Sequence, residues 1–280
     1  MNFASVAIAL ITFAAPDPIR PDPNAPRPIG AVDSVFIEDL TWMEIRDALK
    51  GGVDTVIVPT GGVEQNGPYL VTGKHNVVLR GTTEAIARKL GQTLVAPIVP
   101  FVPEGDIDPP SQHMLYPGTI SVSEATFEAL LTDICSSLKT HGFKKIVLIG
   151  DSGGNQAGMK AVAAALSTKW KGTGCQIVFI PEYYSAAPVT KWLEGQGIKQ
   201  VSEGLHDDFA MEATMLAIDP TSVRMQQRLA AGNFRINGVD LSPAEKTIEI
   251  GKKIIGVRAD NTIDAIRKAL EHAVHTAQSR

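Results

Sequence analysis

Three stretches of this 280-residue chain concentrate side chains that could do chemistry. The first runs Val58-Pro59-Thr60-Gly61-Gly62-Val63-Glu64-Gln65-Asn66-Gly67-Pro68-Tyr69-Leu70 and on through Gly73-Lys74-His75. It carries a carboxylate, two side-chain amides, a phenol and an imidazole. The second is Gly150-Asp151-Ser152-Gly153-Gly154-Asn155, and the third is Gly204-Leu205-His206-Asp207-Asp208 with Glu212 close behind. A fourth loop adds His113 within Ser111-Gln112-His113-Met114. Carboxylates and imidazoles converging from several strand ends suit Zn²⁺ or Mn²⁺. Such an ion polarises a carbonyl and makes its bound water more acidic, provided a base and an acid stand nearby to move protons.

The elements around these stretches explain how they could meet. Thr55-Val56-Ile57-Val58 has the β-branched composition of a buried strand, and Pro59 is expected to end it for want of an N–H. A helix is expected from about Val77, with Thr83–Leu90 its clearest part and Gly91 its stop. Leu94–Val99, Lys144–Ile149 and Gln176–Ile180 read as further apolar strands. Thr41 with Glu44 forms a capping box, and Ser123 caps an amphipathic helix striped by Phe127, Leu130, Leu131, Ile134 and Leu138. Ala157–Trp170 reads as helical, as do Ala244–Ile255 and Asn261–Gln278. Strands alternating with helices imply an α/β fold with a mostly parallel sheet, whose chemistry sits at the C-terminal ends of the strands.

Composition narrows the rest. With 44% hydrophobic residues the chain can bury one substantial core, and a net charge of −4 argues against nucleic acid as a partner. Two cysteines make neither a disulfide framework nor a zinc cluster, and Cys135 lies in an apolar helical stripe. Residues 1–15 read as a signal peptide, an uncharged apolar run too short to span a bilayer. Residues 16–34 read as a tether, with five prolines between Asp17 and Pro28, and residues 35–280 as the folded domain. An exported protein is the expectation. The glycine-rich turn at 150–154 could cradle a phosphate, but no Walker lysine or dinucleotide fingerprint accompanies it.

The motif Glu64-Gln65-Asn66-Gly67-Pro68-Tyr69-Leu70, with His75 following, resembles the signature of the creatininase family. That signature reads Glu-Gln-His-Gly-Pro-His-Leu-Pro, then an Asp at the position of His75. Tyr116-Pro117-Gly118-Thr119 resembles the family's Phe-Pro-Gly-Thr. Gly150 to Asn155 resembles its Asn-Gly-His-Gly-Gly-Asn, with Ser152 in place of a metal-binding His. His206 to Glu212 resembles its His-Ala-Gly-x-x-Glu, with one residue inserted. The resemblance spans roughly residues 35–275. It implies a three-layer α/β/α sandwich, metal-dependent hydrolysis of a C–N bond in a cyclic or small amide, and a homo-hexamer assembled as a trimer of dimers. It further implies a single divalent ion, zinc with manganese as the alternative, held here by Glu64, His75, Asp151 and Glu212. His206 takes the role of general acid, and Glu212 that of base if it is not a ligand. Asn66, Tyr69, His113 and Ser152 are the expected substrate contacts, and whether Asp151 or Ser152 faces the ion is open. Two other functions fit the same residues: a non-catalytic small-molecule-binding protein with a degenerate metal site, and a lyase or hydrolase of a sugar-like ring.

Overall fold

The structure is a computed structural model that describes residues 19–278. The expected signal segment therefore lies outside the described residues. The chain forms two compact units, one ending at Val32 and the other beginning at Asp33. Among the described residues, 19–32 hold turns and bends without a helix or strand.

The sheet of the larger unit has four parallel strands in the order β2 (Thr93–Val95), β1 (Thr55–Thr60), β3 (Lys145–Gly150), β4 (Gln176–Phe179). Both faces are covered, which is why the middles of the strands are continuous apolar runs, such as Val56-Ile57-Val58 and Ile146-Val147-Leu148-Ile149, rather than alternating. Val56, Val58, Ile146 and Leu148 point to one face. There they meet Ile45 and Leu49 of α1 (Trp42–Lys50), Phe127 and Leu131 of α3 (Glu124–Thr140), and Met159 and Val162 of α4 (Gln156–Lys169). Ile57, Val147 and Ile149 point to the other, against Leu79 and Ile86 of α2 (Lys74–Leu90) and Ile263 and Ile266 of α8 (Ala244–Gln278). The result is an α/β/α sandwich. A third cluster joins Val78 to α5 (Ala187–Gly195), α6 (Phe209–Ile218), α7 (Met225–Ala230) and Ile254 of α8. A short antiparallel hairpin of β5 (Arg235–Ile236) and β6 (Val239–Asp240) precedes α8.

Four expectations need correcting. Pro59 does not end its strand: it pairs with Ile149 on the β3 side, and its carbonyl accepts from Val99 N on the other side. A strand residue's N and O point the same way, so the missing N–H falls beyond the end of β2, where it breaks no ladder bond. The helix after the first loop starts at Lys74, three residues before Val77, which puts His75 in its first turn. Regular pairing in β2 stops at Val95, and Val99 contributes only an isolated bridge to Thr60. The two expected C-terminal helices are one helix of 35 residues. The capping box at Thr41 and the Ser123 cap form as expected.

Candidate active site

From β1 the chain crosses to β2 on one side, then returns past β1 to β3 and β4 on the other. The carboxyl ends of β1 and β3 thus flank the switch point, where an open parallel sheet leaves a crevice. Asn155, at the start of α4, ties the two loops together, its Nδ2 donating to the carbonyls of Thr60 and Gly61 at 3.1 Å each. Close approach requires glycine at two places. A Cβ on Gly154 would lie 1.9 Å from the Pro103 carbonyl oxygen, and one on Gly62 would lie 2.1 Å from Glu104 Oε1.

At this crevice the structure builds a buried chain of charge. Glu64 Oε1 is 2.6 Å from His75 Nε2, His75 Nδ1 is 2.8 Å from Asp151 Oδ2, and Arg258 Nη1 donates to Asp151 Oδ1 at 2.6 Å. Burial opposes a charge on His75, but the hydrogen bonds to Asp151 and Glu64 outweigh it and raise the imidazole to about 9. Burial likewise opposes charge on Glu64 and Asp151. For both, the His75 hydrogen bond wins, helped by Lys74 for Glu64 and by Arg258 for Asp151, and holds them below the usual carboxylate range. Glu64, His75 and Asp151 do come together, as a relay of hydrogen bonds. With both ring nitrogens engaged by carboxylates, His75 has no lone pair left to offer an ion.

The arrangement around Glu64 differs on its other side. His113 Nε2 lies 3.3 Å from Glu64 Oε2, and His206 Nε2 lies 3.4 Å from Glu64 Oε1. The donor atoms of these three residues all fall within 4.8 Å of one another. The two rings stack at 4.5 Å, and Gln65 holds their far edges: its side-chain oxygen is 3.1 Å from His113 Nδ1, its carbonyl 2.8 Å from His206 Nδ1. A carbonyl only accepts, so the His206 hydrogen is on Nδ1 and the Nε2 lone pair points at the carboxylate. Burial and the charge of Lys74 push His206 below the usual imidazole range, so this ring is neutral near pH 7. Two lone-pair atoms then face each other across 3.4 Å. That is close to the edge, about 3.3 Å, of a tetrahedron of ligands around a zinc-sized ion. One carboxylate and two imidazoles, each imidazole braced through its second nitrogen, fit a divalent ion. Glu64 is buried while His113 and His206 are partly exposed, so the site opens to solvent on the imidazole side.

The other expected site residues have structural partners. Glu212 faces Arg228, which donates to it, and Asp207. Burial, with Asp207 beside it, pushes its carboxyl up to about 9. Among the described residues, the convergent group is Glu64, His113 and His206, without Glu212. Tyr69 lies under the Arg228 guanidinium at 4.4 Å and accepts from Asn233 at 2.9 Å. Asn66 donates to the carbonyls of Glu64 and Val71, each at 3.0 Å, bracing the loop. Both Asp151 and Ser152 point inward, to different partners: Ser152 Oγ donates to Glu104 Oε2 at 3.1 Å.

Sequence reasoning passed over four participants. Glu104 is 2% exposed, and burial together with the charge of Glu64 raises it to about 8. Its only signal was its place in the loop after an apolar strand. Lys74 and Gln65 sat inside the motif without an assigned role. Arg258 had no signal, because it fell in the supposed gap between two helices.

A family model described as creatininase, creatinine amidohydrolase, matches residues 38–274. The chain belongs to the creatininase family. A 3-dehydro-scyllo-inosose hydrolase of Thermotoga maritima is 30% identical over 127 residues, covering 45% of this chain and 37% of that protein. A creatinine amidohydrolase of Pseudomonas putida is 25% identical over 116 residues, covering 41% and 44%. The matched stretches thus span less than half of either relative's length. Among solved structures, one described as "Creatininase Mn" superposes with a TM-score of 0.63 at 21% identity, covering 84% of this chain and 98% of that one, which shows the shared creatininase fold.

Proposed function

We propose that this creatininase-family chain is a metal-dependent hydrolase of a small molecule, acting on a C–N bond of a cyclic or small amide. A divalent ion, zinc or manganese, would be held by Glu64, His113 and His206. The observation that carries this is the convergence of one carboxylate and two imidazoles, Glu64, His113 and His206, whose ligand atoms all lie within 4.8 Å of one another. When bound, the ion polarises the substrate carbonyl and acidifies a water. The chain's own residues do the rest. The His75–Asp151–Arg258 relay fixes the Glu64 carboxylate, and Gln65 fixes both imidazoles. Glu104, buried at the same crevice with Ser152 donating to it, is the carboxylate placed to take a proton from the attacking water and pass it to the leaving nitrogen.

The test is elemental analysis of the purified protein, followed by assay on a panel of cyclic and small amides before and after chelation. One ion per chain is expected, with hydrolysis that chelation abolishes and the metal restores. His206→Ala should lose both ion and activity. A protein that retains its ion but cleaves nothing in the panel favours the binding-protein reading. Hydrolysis indifferent to chelation removes the metal from the proposal. Because the Thermotoga relative is named for a ring ketone, cyclic keto-polyols belong in the panel as the second substrate class.

A further inference from the structure

Lys74 is the first residue of α2, and its side chain is 5% exposed. Both facts are unusual for a lysine. An ammonium at a helix N-terminus meets the positive end of the helix dipole, and a buried ammonium needs a strong partner. The partner here is Glu64, whose Oε1 lies 3.2 Å from Lys74 Nζ. The same oxygen faces His75 Nε2 at 2.6 Å and His206 Nε2 at 3.4 Å. The lysine charge is felt at His75, Asp151 and His206 as well, so the ammonium sits inside the cluster rather than at its rim.

We propose that Lys74 is a built-in cation that competes with a divalent ion for Glu64, and so sets how tightly the site holds metal. The inference rests on the reading that Glu64, His113 and His206 form the ion site. An ion ligated to Glu64 at about 2.0–2.2 Å would stand within a few ångströms of the ammonium, in a place where water screens poorly. Like charges at that range repel strongly, so the ion and the closed Lys74–Glu64 pair exclude one another. The flexible four-carbon stem of lysine lets the ammonium withdraw when an ion arrives. Without an ion, the same ammonium pairs with Glu64 Oε1 at 3.2 Å.

The experiment is calorimetric titration of chelated full-length protein with Zn²⁺ and with Mn²⁺, on wild type, Lys74→Met and Lys74→Arg. Methionine keeps the apolar stem and removes the charge; arginine keeps the charge. The Met variant is expected to bind at least about tenfold more tightly than wild type, and the Arg variant to show no such gain. Should the Met variant not fold, Lys74→Gln, which can still donate to Glu64, carries the same comparison. Equal or weaker binding by a folded, uncharged variant overturns the inference while leaving the metal site intact. Tight binding by the Met variant where wild type binds nothing supports it most directly. An ion taken up by neither protein ends the metal reading and this inference with it.

Discussion

Arg228 is the cation that two buried carboxylates, Asp207 and Glu212, share in the structure, and its worth can be measured. Arg228→Met would leave the negative charge of the Asp207–Glu212 pair in the protein interior without a counter-charge, at a cost of about 3–5 kcal/mol. Glu212→Gln keeps the shape and a hydrogen bond, and should cost about 1 kcal/mol or less. Urea denaturation of the two variants gives both numbers. Comparable losses in the two would mean that Glu212, not the shared arginine, organises this cluster. The Gln variant should also keep its hydrolytic activity, since Glu212 faces Arg228 rather than the Glu64 site. The sequence made Glu64, His113 and His206 legible as reactive groups, because residue type is written in the chain. It did not show which nitrogen of His75 meets which carboxylate. That pairing depends on a carboxylate 76 positions away and a guanidinium 107 positions beyond Asp151.

Two glycines of α8 test the element that carries Arg258. A Cβ on Gly256 would meet nothing within 4 Å, whereas one on Gly251 would lie 1.8 Å from the Ala213 carbonyl oxygen of α6. Gly256→Ala should therefore stabilise the protein by about 0.5–1 kcal/mol, as expected in an unbroken helix interior. Gly251→Ala should destabilise it by about 1–3 kcal/mol by forcing α6 and α8 apart. Thermal melts of the pair decide the matter, and a Gly256→Ala variant less stable than wild type would argue for a break there. The strands and most helices were readable because each serves one core with one period. The long helix was not, because Ile254 packs into the α5–α6 cluster while Ala259, Ile263 and Ile266 pack on the sheet. A helix that changes partners part-way shifts its apolar stripe, and in a periodicity search the shift resembles an end.

At the scale of the molecule, Phe101, Ile107, Leu115, Tyr116 and Ile120 are all exposed on the segment that also carries His113. So many uncovered apolar side chains within twenty positions suit a subunit contact beside the site. We propose the hexamer, a trimer of dimers, that the family resemblance implies, and sedimentation should give six chains per particle. A mass of one chain at micromolar concentration would remove that assembly. Export is proposed on the apolar run of residues 1–15, and mass spectrometry of the protein from its native host should find a terminus near Pro16 or Asp17. Asn155, finally, bears on how this scaffold could be redesigned. Its amide grips two main-chain oxygens of the neighbouring strand end, and main chain is what every substitution leaves in place. The crevice thus keeps its outline whichever side chains reach into it. Ligands on separate loops can be exchanged one at a time, like bits in a fixed chuck, with the sheet beneath carrying none of the change.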